Sequence, residues 1–210
     1  MKKLLFAVSA LAALSLLAPS TGFAQHESSA NNQLGLFLAA DGTGATGSAD
    51  IGVPVSVFLV LINPTDVDAG EAPYATLNAF ECMLNFDGPA LFKLADTLPP
   101  TAVNVGDNSD INQGFLEYIV GLGTSMDVSA ASATLISFQF MTTSPLPTTI
   151  TLTQTSAPSI ANEMAFQSVT GQLRVMHNAS GTKDGIVFAF NGEPVAIENE
   201  SFGSVKALFR

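Results

Sequence analysis

Apolar and polar positions alternate along most of this chain. Phe80, Cys82, Leu84 and Phe86 are separated by Glu81, Met83 and Asn85; Leu116, Tyr118, Val120 and Leu122 by Glu117, Ile119 and Gly121. Ile136, Phe138 and Phe140 alternate with Ser137 and Gln139, and Ile150 and Leu152 flank Thr151. A period of two sends successive side chains to opposite faces of an extended backbone, so each run predicts a strand with one face on a core and one in water. Val53 to Ile62 is apolar on both faces, which predicts a central strand covered on both sides or paired against another layer.

Breaker clusters separate these runs: Asp41-Gly42-Thr43-Gly44, Asn63-Pro64-Thr65-Asp66, Asp87-Gly88-Pro89, Leu98-Pro99-Pro100, Ser144-Pro145-Leu146-Pro147 and Asn191-Gly192. Strands divided by turn chemistry, with no amphipathic helix between them, predict an all-β antiparallel sandwich or barrel. The strands fall near 34–39, 52–62, 74–86, 115–123, 133–142, 148–155, 169–177 and 185–190, with short additional ones near 91–94 and 102–105. Residues 177–185 are polar and glycine-containing, and predict a linker into a small tail, 177–210. Within that tail, Phe202, Val205 and Phe209 have helical spacing. Ser201 suits the N-cap and Lys206 and Arg210 suit the negative helix end, so a short C-terminal helix is expected, docked on the sandwich or on a partner.

The first 24 residues change the picture of where the protein works. Lys2 and Lys3 precede an apolar run from Leu4 to Leu17, then Pro19-Ser20-Thr21-Gly22-Phe23-Ala24. This is the pattern of a secretory signal peptide, with small residues at 22 and 24 placing the cut before Gln25. The apolar run is too short for a bilayer span, which takes roughly 20 residues. No Cys follows to carry a lipid, and no later segment is apolar for long enough to cross. The expected product is an exported protein of the periplasm, cell surface or medium, with residues 25–33 a disordered leader into the sandwich.

Charge then narrows the partners. Without Lys2 and Lys3, five of the seven basic residues remain against 18 acidic ones. Such a surface repels nucleic acid and anionic lipid, and favours cations or a basic partner surface. The single cysteine, Cys82, lies in an apolar alternation and is expected to be buried and inert, so the fold rests on packing without a disulfide.

Catalytic chemistry finds few bearers. Of the two histidines, His26 falls in the N-terminal leader and His177 at the expected domain edge, where solvation is the expectation and no nucleophile adjoins it. Zinc-type spacings, a phosphate loop and a nucleophile elbow are all absent from the sequence. Two Tyr and no Trp leave little for stacking a sugar. The expectation is therefore no enzyme and no resident cofactor, with calcium the one candidate. Asp107-Asn108-Ser109-Asp110 and Asp66-Val67-Asp68 place oxygen ligands at alternate turn positions, making Asp107, Asp110, Asp66 and Asp68 the candidate ligands. Ordinary Asx turns account for the same pattern.

One resemblance runs through the body of the chain. Gly52-Val53-Pro54-Val55-Ser56-Val57, then Leu77 to Asp87 with Phe86-Asp87-Gly88-Pro89-Ala90-Leu91, resembles the opening of cohesin domains. There a "G-x-x-V-x-V" strand precedes an "f-x-l-x-Y-D-p-x-x-L" strand and turn. Phe86 stands where the family has Tyr, and the proline is displaced by one residue. Ala133 to Phe140 is similar to the family's "l-a-t-i-x-F-k" strand, and Ile150-Thr151-Leu152 to the strand after it. The resemblance covers 34–176, the expected extent of the domain. It implies a jelly-roll, immunoglobulin-like β-sandwich of about nine strands whose face or loops bind another protein, in the family a calcium-loaded dockerin. No dockerin-contacting residue transfers by motif, and the tail departs from the family. A self-assembling surface or matrix protein is the alternative expectation.

Overall fold

The strongest alternations become the two long central strands of a β-sandwich. The structure, a computed structural model, describes residues 30–66, 72–73, 76–89, 91–193 and 195. The expected signal peptide and C-terminal helix lie outside them. In chain order the strands are β1 (Gln33–Phe37), β2 (Thr46–Gly47), β3 (Pro54–Ile62), β4 (Thr65–Asp66), β5 (Ala72–Pro73), β6 (Thr76–Asp87) and β7 (Leu91–Thr97). They continue with β8 (Ala102–Asn104), β9 (Phe115–Asp127), β10 (Ser132–Thr142), β11 (Thr148–Thr153), β12 (Met164–Ser168), β13 (Leu173–Asn178) and β14 (Ile186–Phe190). Among the described residues a 3-10 turn, Ile111–Gln113, interrupts them.

One layer has the order β7-β10-β3-β1, all neighbours antiparallel. The other is built on β6. Its one edge takes β9, which takes β8. Its other edge is shared end to end: β11 pairs with the 83–87 half, and β12 with the 77–81 half. β14 and β2 extend the sheet beyond β11, and β13 beyond β12. β13 also pairs parallel with β1, joining the two layers along one side.

The inward residues of both layers meet in one core. Leu34, Leu36, Val57, Leu59, Ile136, Phe138 and Phe140 from the first face Phe80, Cys82, Leu84, Leu116, Tyr118, Phe188 and Phe190 from the second, all buried. Rings cross the gap edge to face: Tyr118 on Phe138 at 5.7 Å, and Phe140 on Phe86 at 6.0 Å and Phe190 at 6.1 Å. Such pairs add about 0.5–1.5 kcal/mol each to their burial. The double-faced apolar pattern of β3 is explained by a second, smaller cluster outside its sheet. Val60 and Ile62 pack there with Phe37, Ala45 and Ala179, and Phe58 and Val195 lie against them.

Three expectations are corrected. Residues 30–33 are not a disordered lead-in: Asn32 is fully buried, its side-chain amide exchanging hydrogen bonds with the Thr65 backbone. The strand expected at 169–177 is the second half of a hairpin. The chain turns at 168–172, where Ser168 N–H donates to Gln172 O at 2.9 Å and Gly171 takes φ +82°, so β12 precedes it and β13 starts at Leu173. The sandwich also continues past residue 176. Asn178 closes the 178–185 turn by accepting from Ser180 N–H and donating to Gly185 O, and β14 delivers Phe188 and Phe190 to the core.

Candidate functional site

Among the described residues, packing leaves part of the outer face of the β6 sheet open. Strand registers put residues in cross-strand rows, and members of a row point the same way. One outward row reads Val103 on β8, Gly121 on β9, Ala79 on β6, Gln167 on β12 and Leu173 on β13. The next reads Val105, Ile119, Glu81, Ala165 and Val175, with Val105 N–H donating to Ile119 O at 3.0 Å. Small residues occupy the middle of the first row and larger apolar ones its ends. The result is an open trough of about 360 Å³, with Val103, Val105 and Leu173 on its rims at 62, 75 and 39% exposure. Five strands at about 4.8 Å spacing make it about 19 Å from rim to rim.

One end of the trough is closed by residues 154–163, the connection from β11 to β12. Thr153 pairs with Met83 and Ala165 with Glu81, so the chain leaves the β6 edge and rejoins it almost at once. Between these points it folds back over the outer face. Ser156 N–H donates to Glu117 Oε1 at 2.6 Å, and Glu117 stands on β9, beyond β6. Ser159 donates from N–H to Glu81 Oε1 at 2.6 Å and from its hydroxyl to Glu81 Oε2 at 3.0 Å. Both glutamates point outward, yet the connection leaves them only 5% and 7% exposed. Burial pushes the Glu117 carboxyl up, but the Ser156 N–H and hydroxyl and the Asp107 N–H together hold it below the usual carboxylate range.

The β8 rim is fixed from behind by a polar knot joining the two layers. Asp96 Oδ2 on β7 accepts from Tyr118 OH on β9 at 2.7 Å, Asn108 Nδ2 at 2.8 Å and Lys93 Nζ at 2.9 Å. Burial opposes ionisation of Asp96, but those three donors keep its carboxyl below the usual range, while burial and the Asp96 charge push the Tyr118 phenol up. Asn104 completes the rim: its Oδ1 accepts from Gly106 N–H and Ile119 N–H and its Nδ2 donates to Gly106 O and Glu117 O.

Three of the four candidate calcium ligands fall within the described residues. Asp107 Oδ1 accepts from the N–H and hydroxyl of Ser109, which hold its carboxyl below the usual range. Asp110 Oδ1 caps the 3-10 turn through Asn112 N–H at 2.8 Å. Asp66 lies in the β4–β5 ribbon, paired with Ala72, and Asp68 is outside the described residues. Among the described residues no three His, Cys, Asp or Glu gather closely enough to hold a metal ion. Cys82 is buried in the core, where burial and then Glu81 push its thiol up, so it is no nucleophile. His177 is half-buried on β13, its backbone N–H bonded to Asn32 O, not solvated at a domain edge. Reasoning from sequence missed the trough because a row of small and apolar residues on five strands has no linear signature. The outward Ile119, Gly121, Val103 and Val105 were its trace.

No family model matches the chain, and no curated protein sequence matches it. Solved structures do. A type II cohesin domain from the cellulosome of Acetivibrio cellulolyticus matches with TM-score 0.50 at 13% identity over 76% of this chain and 95% of that one. The second type II cohesin module of an adaptor scaffoldin from the same organism gives 0.50 at 11% identity over 83% and 97%. The type II cohesin dyad of that scaffoldin gives 0.52 at 14% identity over 78% of this chain and 49% of the dyad. At these identities the likeness shows the fold: the protein is a cohesin-like β-sandwich.

Proposed function

We propose that this protein is an exported, non-catalytic binding module that holds one α-helix of a partner protein in the trough on its β6 sheet. The observation that carries the reading is the outward row Val103–Gly121–Ala79–Gln167–Leu173, apolar at its rims and with the small Gly121 and Ala79 side by side between them. A helix is about 10–12 Å across with its side chains, which fits between rims about 19 Å apart. Gly121 and Ala79 let its backbone approach closely, and covering Val103, Val105 and Leu173 contributes about 1–2 kcal/mol each. The chain's net charge of −11 favours a partner with basic residues beside its apolar stripe. The cohesin-like fold and the cohesin-type strand motifs support a protein partner of dockerin kind. The leader at residues 1–24 supports action after export, in the periplasm, at the cell surface or in the medium.

Gly121 makes the test clean. A Cβ built there meets nothing within 4 Å, so Gly121→Arg introduces a long side chain into the trough from an unhindered backbone position. Wild type and variant are immobilised and exposed to the secreted fraction of the source organism, with and without calcium. A protein retained by the wild type and lost, by at least about tenfold, with the variant supports the trough. Equal retention on both, or none on either, sinks the reading.

A further inference from the structure

We propose that residues 154–163 form an acid-released strap across the outer face of the β6 sheet, held shut by Glu117 and Glu81 and regulating the trough it walls. Its regulatory role rests on the trough being the binding site; the strap itself does not.

The topology places the strap under constraint. β11 and β12 occupy adjacent stretches of one edge of β6, so the chain between them has no ladder of its own. Its backbone is fastened to the face it crosses by two carboxylates on neighbouring strands. Glu117 takes Ser156 and Glu81 takes Ser159, with the two N–H contacts at 2.6 Å. Charged acceptors make such bonds about twice as strong as neutral ones, and a buried carboxylate without its donors is costly. The hold is therefore strong when Glu117 is ionised.

Among the described residues, the ion pairs Lys93–Asp96 and Lys183–Glu163 involve neither clamp. Asp107, from the segment before the 3-10 turn, faces Glu117 with a like charge and also donates its N–H to Oε2 at 3.4 Å. Glu163, at the far end of the strap, pairs with Lys183 at 3.0 Å and not with the clamps. Arg174 on β13 shares the core-directed row of Phe166 and Phe80, opposite to Glu81. Protonation of Glu117 thus removes a charge that fastens the strap, while the apolar core of the sandwich stays packed. The sign follows from Glu117, whose folded value lies below its ordinary 4.5. Its stabilisation is complete above that ordinary value and is lost as pH falls through the folded one. An open strap lengthens the trough over Met83 and exposes Glu81 at its centre.

Amide hydrogen exchange of the partner-free protein reads this directly. Protection of Ser156 and Ser159, corrected for intrinsic rates, is followed from about pH 7 to about pH 3.5 against β10 amides as the report on global stability. The strap amides are expected to lose at least about tenfold protection while β10 keeps its own. A Glu81→Gln/Glu117→Gln double variant is expected to show that loss already at neutral pH and no further response to acid. Strap amides that track β10 through the titration overturn the proposal, as does a folded double variant with wild-type protection. If the double variant does not fold, the wild-type titration decides alone. Because no partner is present, failure here leaves the binding reading untouched, and failure of the Gly121→Arg comparison leaves the strap.

Discussion

Asp96 shows how much of this sandwich's polar chemistry is structural. Its carboxylate gathers a phenol, an amide and an ammonium from three segments, and so ties β7 of one layer to β9 of the other behind the trough rim. Replacing Tyr118 by Phe removes a hydrogen bond to a charged group and should cost about 1–3 kcal/mol in chemical denaturation near neutral pH. Asp96 has a depressed folded value, so its contribution is present above the ordinary 3.8 and is lost as pH falls through the folded value. The Tyr118→Phe penalty should therefore shrink in acid, and a penalty constant from about pH 7 to about pH 3 would refute the charge-assisted link. Only part of this was legible in the sequence. The alternation placed Tyr118 inward correctly, but no pattern announced that Lys93 and Asp96, on an edge strand, would meet it. Likewise no pattern in the Asp-rich turn at 107–110 announced that Asp107 Oδ1 would accept from Ser109 and Asp110 Oδ1 from Asn112.

At the scale of elements, the strands with clear alternation appear within a few residues of their expected ends, and the short ones at 91–94 and 102–105 are real as β7 and β8. β12 was missed because its Met164-Ala165-Phe166 run is short and the turn that follows, Val169-Thr170-Gly171-Gln172, continues an extended-looking pattern. β7 is an edge strand with Phe92 and Leu94 exposed, the feature that self-assembly would use. It is also blunted, by a register shift beside Leu94 and by Lys93 pointing into the core edge, both of which discourage edge-to-edge pairing. β1 owes its place to Gly35. A Cβ there would lie 2.7 Å from the Phe37 ring and 2.8 Å from Ala179 Cβ, so the outer cluster closes only over a bare backbone. Gly35→Val should destabilise by about 1–3 kcal/mol, read as a lowered denaturation midpoint. An unchanged midpoint would mean the outer cluster gives way at no cost.

For the whole molecule, the decisive fact is that the chain's last described strand is structural. β14 pairs with β11 and carries Phe188 and Phe190 into the core, while β2, from near the start, pairs parallel with it. A chain ending at residue 177 should therefore lose cooperative unfolding altogether. Circular dichroism melts of that truncation and the full chain check this, and a stable 1–177 fragment would contradict a core that needs β14. Both long edges of β6 are taken by hydrogen bonding and its inner face by the core, so among the described residues its outer face is the side left open, with the trough and the strap on it.

The sequence by itself determined the class of structure: period-two apolar runs and turn residues act within a few neighbours, and the backbone geometry of a strand converts them into faces. It also determined the acidity, the absence of a disulfide and the cohesin-type order of strand motifs. Tertiary structure alone decided which outward residues became neighbours. Val103, Gly121, Ala79, Gln167 and Leu173 form one row only through pairings between strands distant in the chain, and Glu81 and Glu117 became buried clamps only when residues 154–163 crossed above them. Those contacts follow from register and closure, which depend on the whole packed core and not on any local run of residues.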